Sequence, residues 1–386
     1  MAAPMKVFQV HTRYRQPGGE DSVVEAEAAV LRAAGHDVTQ YQVANPESAG
    51  ATAAALAAAP WNPAAARRVA AAATAAGAEI AHVHNTWFAL SPAIVPALRR
   101  AGLPVVITLH NYRLLCANSM LFRDGRPCQD CVGSHPWHGV VHRCYRGSVS
   151  ASTVSALTVA ANRRTWRDDA TLFLALTEFG RQRFIEGGLP PAKVQVKSNF
   201  VPDVGPRLTP PSRSDRVLFV GRLSPEKGLH VVLDAWRQLD LPLRLQVIGD
   251  GPARRDLLRR APDGVEFLGR LSHDEVQQAM REARALVFPS LWYEGQGMTL
   301  LESFAAGLPA VVSKLGGSAD LLRGGGGWTA TPGDVSSWVR NLSALANDDT
   351  VDATGAKARR RYEAGFSPEQ GLAGLEAAYR WALAAG

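Results

Sequence analysis

The chain has 386 residues, 46% hydrophobic and 20% charged, which excludes a disordered tail, a collagen-like rod and a disulfide-stapled miniprotein. Lys plus Arg is 42 against 35 for Asp plus Glu, a formal charge of +7, so anionic partners are expected: nucleotides, phosphates, nucleic acid or an acidic membrane surface. No stretch reaches the ~18–20 apolar residues of a spanning helix, and the first residues enter an apolar run without a signal core, so a cytoplasmic protein is expected. Apolar runs at 6–10, 37–43, 79–84, 104–110, 171–177 and 193–197 read as strands. Residues 20–34 read as a helix, with Asp21 and Ser22 near its start and Gly35 as its stop. The Ala-rich stretch 64–76 reads as helix on propensity, with low-complexity disorder as the alternative. Residues 199–214 hold Pro202, Pro206, Pro210 and Pro211 and no sustained apolar pattern, which marks a domain boundary.

Beyond the boundary, strands at 216–221, 243–249, 264–269, 285–289 and 309–313 alternate with helices at 228–239, 253–260, 272–281, 299–306 and 318–322. The tail, 368–383, carries Leu372, Leu375, Tyr379 and Trp381 at helical spacing. The alternation predicts an α/β fold of two doubly wound parallel sheets, that is, two facing Rossmann-like domains. The expected division is 1–200, 201–366 and a C-terminal helix at 367–386.

In open α/β sheets, ligands bind at the carboxyl ends of the strands, where loops meet helix N-termini. After the strand at 216–221 comes Gly221-Arg222-Leu223-Ser224-Pro225-Glu226-Lys227-Gly228. Two cations beside free amides suit a diphosphate; alone, such a loop is more often a turn with solvated charges. After 243–249 comes Gly249-Asp250-Gly251-Pro252, a tight turn that is weak evidence by itself. After 285–289, Glu294 and Glu302 are separated by seven residues, the first on a loop and the second inside the following helix. A helical carboxylate can accept two hydrogen bonds from a ribose diol, and one on a loop can grip sugar hydroxyls. Gly295 and Gly297 allow close approach to the backbone. A solvated surface role fits Glu302 poorly, because Leu300, Leu301, Phe304 and Ala305 flank it.

Taken in order, these segments, with Val-Glu-Phe-Leu-Gly-Arg-Leu at 265–271 and Gly-Leu-Pro-Ala-Val-Val at 307–312, resemble glycosyltransferase family 4 over roughly the whole chain. The resemblance implies a retaining enzyme of the GT-B fold. It implies a donor cleft between the domains, with the donor held mostly by the second, and a C-terminal helix that returns to the first. By that likeness Arg222 and Lys227 neutralise the donor diphosphate, Glu302 binds ribose and Glu294 binds the transferred sugar. The amides of Gly297, Met298 and Thr299 face sugar or phosphate. Leu268, Gly269 and Arg270 meet the base, and Gly221 and Gly249 shape the site. Gly18 and Gly19 match the glycine pair that approaches the donor phosphate, and His110 matches the active-site histidine. Position alone does not single out His110, since His11, His82 and His84 also end strands. His84 more readily shapes the cleft than carries chemistry. Two positions depart from the pattern: Gln296 replaces the usual aromatic, and Asp320 the usual Glu.

No carboxylate nucleophile is evident, so the expected mechanism is front-face retention, with a donor phosphate oxygen taking the acceptor's proton. No cofactor is required for that chemistry if Arg222 and Lys227 hold the leaving charge. The expected donor is a nucleotide sugar with a uridine base, and the acceptor is a saccharide, a lipid-linked saccharide or a small secondary metabolite.

All four cysteines lie in one insertion, 116–147, as Cys116-(eleven)-Cys128-x-x-Cys131-(twelve)-Cys144. The spacing suits a structural zinc knuckle, with a redox pair at Cys128 and Cys131 or four unconnected thiols as alternatives. A nucleic-acid-binding protein with a zinc module and a non-catalytic nucleotide-sugar sensor are the rival functions. The basic residues are dispersed and RNA-binding aromatic motifs are absent, so no nucleic-acid partner is expected. The charge is compatible with peripheral membrane contact, and the oligomeric state is not legible.

Overall fold

The computed structural model describes residues 3–14, 18–205 and 207–385. Pro206, one of the boundary prolines, lies outside them. The chain divides into two units: Met1–Leu121 with Cys128–Ser198 and Gly371–Gly386, and Phe122–Pro127 with Asn199–Gln370.

The first unit is built on β1 (Lys6–Arg13), β2 (Asp37–Ala44), β3 (Ile80–Asn85) and β4 (Val105–Leu109). A short antiparallel hairpin follows, β5 (Phe122–Arg123) and β6 (Arg126–Pro127), then β7 (Leu172–Ala175) and β8 (Val194–Val196). The sheet order is β2-β1-β3-β4-β7-β8, all parallel. Helices cover both faces, so β3, β4 and β7 are buried along their whole length. The helix Pro368–Ala385 inserts Leu375, Ala378, Tyr379 and Ala382 into a core shared with Val7, Ile80, Val106 and Leu172.

The second unit contains β9 (Arg216–Val220), β10 (Arg244–Ile248), β11 (Val265–Gly269), β12 (Ala285–Phe288), β13 (Ala310–Ser313) and β14 (Gly327–Ala330). Its order is β11-β10-β9-β12-β13-β14, again all parallel. Alternate residues of one strand serve opposite faces. Leu218 packs towards Leu300, Leu301, Phe304 and Tyr362, whereas Val217 packs towards Val232, Trp236, Trp338 and Leu342. This is an α/β protein with two Rossmann-like parallel sheets.

Besides the helices Ile94–Arg100, Val149–Ala161, Glu178–Glu186, Val335–Ser343 and Asp348–Gly365, sequence reading missed β14 and the helix Ala49–Ala58. That helix buries no residue, so it carries no apolar stripe to detect. The strand β14 is Gly-Trp-Thr-Ala, too short and too glycine-rich at its start to show alternation.

Candidate active site

In the second sheet the strand order reverses between β9 and β12, since β9 pairs with both β10 and β12. The crevice outside the carboxyl ends at such a switch point is the binding place of doubly wound folds. The loops that leave β9 and β12 are those carrying Arg222 and Lys227, and Glu294. Both are held by glycines. At Gly228, φ is +70° and an added Cβ would lie 2.0 Å from the Pro289 carbonyl oxygen, so only glycine lets the two loops touch. At Gly249, φ is +137° and a Cβ would lie 1.9 Å from the Gly221 oxygen, which locks the end of β10 against the end of β9.

The loops converge on one carboxylate. Glu294, 6% exposed, accepts at Oε1 from Lys227 Nζ at 2.7 Å, Ser290 Oγ at 2.7 Å and Trp292 Nε1 at 2.8 Å. Lys227 Nζ also lies 5.6 Å from the Trp292 ring centroid and 5.7 Å from that of Phe288, a favourable place for a cation. All three donors go to Oε1, so Oε2 remains for hydroxyls. Arg222 is exposed, and its guanidinium makes no hydrogen bond among the described residues. Sequence reading placed Lys227 and Glu294 in the site but did not foresee that they pair. Ser290 and Trp292, which complete the cluster, carried no signal of their own.

Glu302 lies in the helix Met298–Ala305. Its carboxyl is raised above the ordinary range by burial, opposed weakly by His273. It accepts no hydrogen bond among the described residues. Gly297 caps this helix, and the first inward bond comes from Leu300 N–H to the Gly297 carbonyl at 3.0 Å, so the Met298 and Thr299 amides stand at an open helix start. Gln296 is occupied: its Oε1 accepts from the Asn199 amide at 2.7 Å. It therefore fastens the start of the second unit, a structural task for the position where an aromatic is usual. Leu268 and Gly269 end β11 and Arg270 follows it, and the Gly269 carbonyl accepts from the Gly249 amide at 2.7 Å.

In the first unit the order reverses between β1 and β3. Gly18 caps the helix Gly19–Ala33, with its amide bonded to Asp21 Oδ2 at 2.8 Å. A Cβ at Gly18 would meet nothing within 4 Å among the described residues. His110 follows β4, half-buried, with Nε2 3.0 Å from His84 Nδ1. Burial, aided by Lys197, pushes its pKa down to about 3, although Glu27 works the other way. Both histidines line a small cavity of about 50 Å³ with Trp87, Ile107, Leu114 and Trp166. Behind them, Glu27 and Lys197 form a buried ion pair. Sequence reading missed this pair, although a Glu on the apolar stripe of Val23, Val24, Ala28 and Leu31 was a usable signal.

The four cysteines all lie in the first unit. The Cys116 thiol donates to Asn118 Oδ1 at 2.9 Å, while the Ser119 amide goes to the Cys116 carbonyl oxygen and the Gly139 amide to that of Pro136, each at 3.0 Å. Burial raises both thiols, Cys131 to about 12, and Cys131 feels the other three electrostatically. Among the described residues, only Glu27, His82 and His84 bring three ligand atoms within 4.8 Å of one another. The sulfurs are neighbours, but wider apart than one ion would hold them.

No helix among the described residues is long and apolar enough to cross a membrane. Residues 18–199 match the model for a glycosyl transferase 4-like domain, and residues 214–348 the model for glycosyl transferases group 1. A phosphatidyl-myo-inositol mannosyltransferase of Mycobacterium leprae is 30% identical over 55% of this chain and 61% of its own length. An uncharacterized glycosyltransferase of Methanocaldococcus jannaschii is 29% identical over 42% of this chain. The matched stretches span between about a third and about a half of the first curated relatives, 47%, 30% and 43% of their lengths. The crystal structure of Anabaena HepE in complex with UDP covers 97% of this chain and is itself covered to 99%, with a TM-score of 0.68 at 19% identity. The fold is therefore GT-B, and both halves of the chain match glycosyltransferase domains.

Proposed function

We propose that this chain, which joins a glycosyl transferase 4-like domain to a glycosyl transferases group 1 domain, moves a sugar from a nucleotide-diphosphate donor to a hydroxyl acceptor with retention at the anomeric carbon. The observation that carries this reading is the Lys227–Glu294 pair at the switch point of the second sheet, beside an unpaired Arg222. Breaking the anomeric carbon–phosphate bond leaves negative charge on the diphosphate. Lys227 and Arg222, on the loop that leaves β9, would meet that charge. Glu294 holds the lysine through Oε1 and offers Oε2 to sugar hydroxyls. With three donors already on it, Glu294 is a poor nucleophile, which favours front-face attack over a covalent intermediate. Glu302, desolvated and without a side-chain hydrogen bond among the described residues, suits two ribose hydroxyls.

A uridine base is our reading for the donor, supported by the UDP complex of the structural neighbour. The acceptor is a saccharide, a lipid-linked saccharide or a secondary metabolite. A thermal-shift panel of UDP-, GDP-, ADP- and TDP-sugars tests the donor, because a ligand that binds only the folded chain raises its midpoint. The reading requires a shift with one class and release of that nucleoside diphosphate on turnover. No shift with any of them would refute it.

We further propose structural zinc on Cys116, Cys128, Cys131 and Cys144. The set of four cysteines and the Cys128-x-x-Cys131 spacing support it; since burial holds Cys116 and Cys131 as thiols, zinc would bind with loss of their protons and would draw the sulfurs together. Bound zinc would keep the sulfurs ionised and staple the insertion, with no part in the transfer. Metal analysis of protein purified without chelator should give one zinc per chain, lost in Cys128→Ser; a metal-free, fully folded chain would exclude it.

A further inference from the structure

The first unit contains a polar core that charge neutralisation on the diphosphate does not use. Glu27 has no exposure, and Lys197 is buried against its Oε1. Its Oε2 lies 3.6 Å from His84 Nε2 and 3.6 Å from His82 Nδ1. Neither Glu27 Oε2 nor His84 Nε2 has a hydrogen-bond partner among the described residues. On its other side His84 offers Nδ1 to His110 Nε2 at 3.0 Å, the two ring planes inclined by only 23° as an in-plane hydrogen bond requires. The result is a line of groups from a buried carboxylate to His110.

A metal is a poor occupant of Glu27, His82 and His84. Lys197 already supplies the positive charge there. Both His82 nitrogens are taken, Nδ1 by the Tyr379 hydroxyl at 2.8 Å and Nε2 by Thr108 Oγ1 at 2.7 Å.

Proton positions then follow from the network. A ring lone pair turned to a carboxylate in a dry interior would be repelled, so His84 carries its proton on Nε2. Burial and the neighbouring His82 keep His84 from taking a second proton, so its Nδ1 is bare. Two bare nitrogens cannot face each other at 3.0 Å, so His110 Nε2 carries a proton and donates it. Burial and Lys197 keep His110 neutral, so its Nδ1 is bare.

We propose that Glu27, acting through His84, fixes His110 as the neutral tautomer protonated on Nε2, so that His110 meets its ligand only as a hydrogen-bond acceptor at Nδ1. Resting on the transferase reading, the ligand group is a hydroxyl of the transferred sugar or of the acceptor. His110 then does not give a proton to the departing phosphate. Glu27 and His84 are positioning residues, and Lys197 keeps the carboxylate ionised.

The test is a long-range proton–nitrogen spectrum of the full chain labelled at histidine, with His110→Gln to assign the signals. A proton on Nε2 and a bare Nδ1 at His110 support the proposal. A proton on Nδ1, or on both nitrogens, overturns it; should His110→Gln fail to fold, the His110 signals are assigned in the unsubstituted chain by through-bond connectivity to its backbone. The double variant Glu27→Gln/Lys197→Met removes both charges together, so neither is left buried alone. It should give mixed tautomers at His84 and His110 and about a tenfold fall in kcat, with the donor KM within about twofold. Unchanged tautomers in the folded double variant would also overturn it. If the bare Nδ1 is seen but no nucleotide sugar is turned over, the tautomer assignment stands and the transferase reading falls.

Discussion

At residue 227 one ammonium serves three neighbours: the Glu294 carboxylate and the faces of Trp292 and Phe288. Replacing it removes the charge assigned to the leaving diphosphate and leaves Glu294 with only Ser290 and Trp292 as donors. Lys227→Ala should lower kcat by ~10²-fold or more, measured as release of nucleoside diphosphate. Arg222→Ala should do the same without loss of stability, because Arg222 is exposed and bonds to nothing described. Near-normal turnover in the double variant would remove both from the chemistry. Glu302 gives the opposite combination. Its raised pKa marks a carboxylate that the empty fold stabilises poorly. Glu302→Gln should therefore raise the unfolding temperature of the free protein while abolishing the thermal shift caused by a nucleotide sugar. A stabilised variant that still responds to donor would show that Glu302 does not hold the ribose.

At the scale of elements, the first sheet ends in histidines. His11, His82, His84 and His110 lie in or just after β1, β3 and β4, and burial holds each below the ordinary range. A depressed folded pKa means that the native unit binds fewer protons than the unfolded chain. The stability they contribute is present above 6.5 and lost as pH falls, down to about 3 for His110. Glu20 acts in the reverse sense, since burial raises it to about 8, and its contribution is present below 4.5 and lost as pH rises through about 8. Hydrogen exchange across β3 and β4 should accelerate from pH 7 to pH 5 after correction for the intrinsic rate. Unchanged protection would mean that the imidazoles are not buried neutral. In the second unit, Gly228→Ala should cost more than about 1 kcal/mol, since φ is positive and the Pro289 carbonyl blocks the new methyl. An unchanged unfolding midpoint would show that the loop can shift.

For the whole molecule, the alternation of strand and helix was legible because both faces of each sheet are covered. That burial makes β12 a continuous apolar run and leaves β4 and β13 with one hydroxyl residue each, Thr108 and Ser313. The residues gathered at the second sheet's switch point were legible because glycines and charges cluster just after strands. The first unit's site was less so. Glu27 and His84 are 57 positions apart, and His82 meets Tyr379 at a separation of 297 residues, a distance no local pattern encodes. The cysteine spacing gave a ligand set but not the distances between sulfurs, which depend on how the insertion folds.

The helix Pro368–Ala385 has a consequence for how the protein is made. Leu375 and Tyr379 seal a core whose other walls, Val7, Ile80 and Val106, leave the ribosome far earlier. The half synthesised first must therefore wait for the half synthesised last, and its unsealed sheet is the surface on which chaperones would act during translation. A nascent chain arrested before residue 371 should be protease-resistant over 199–370 and digested over 1–198.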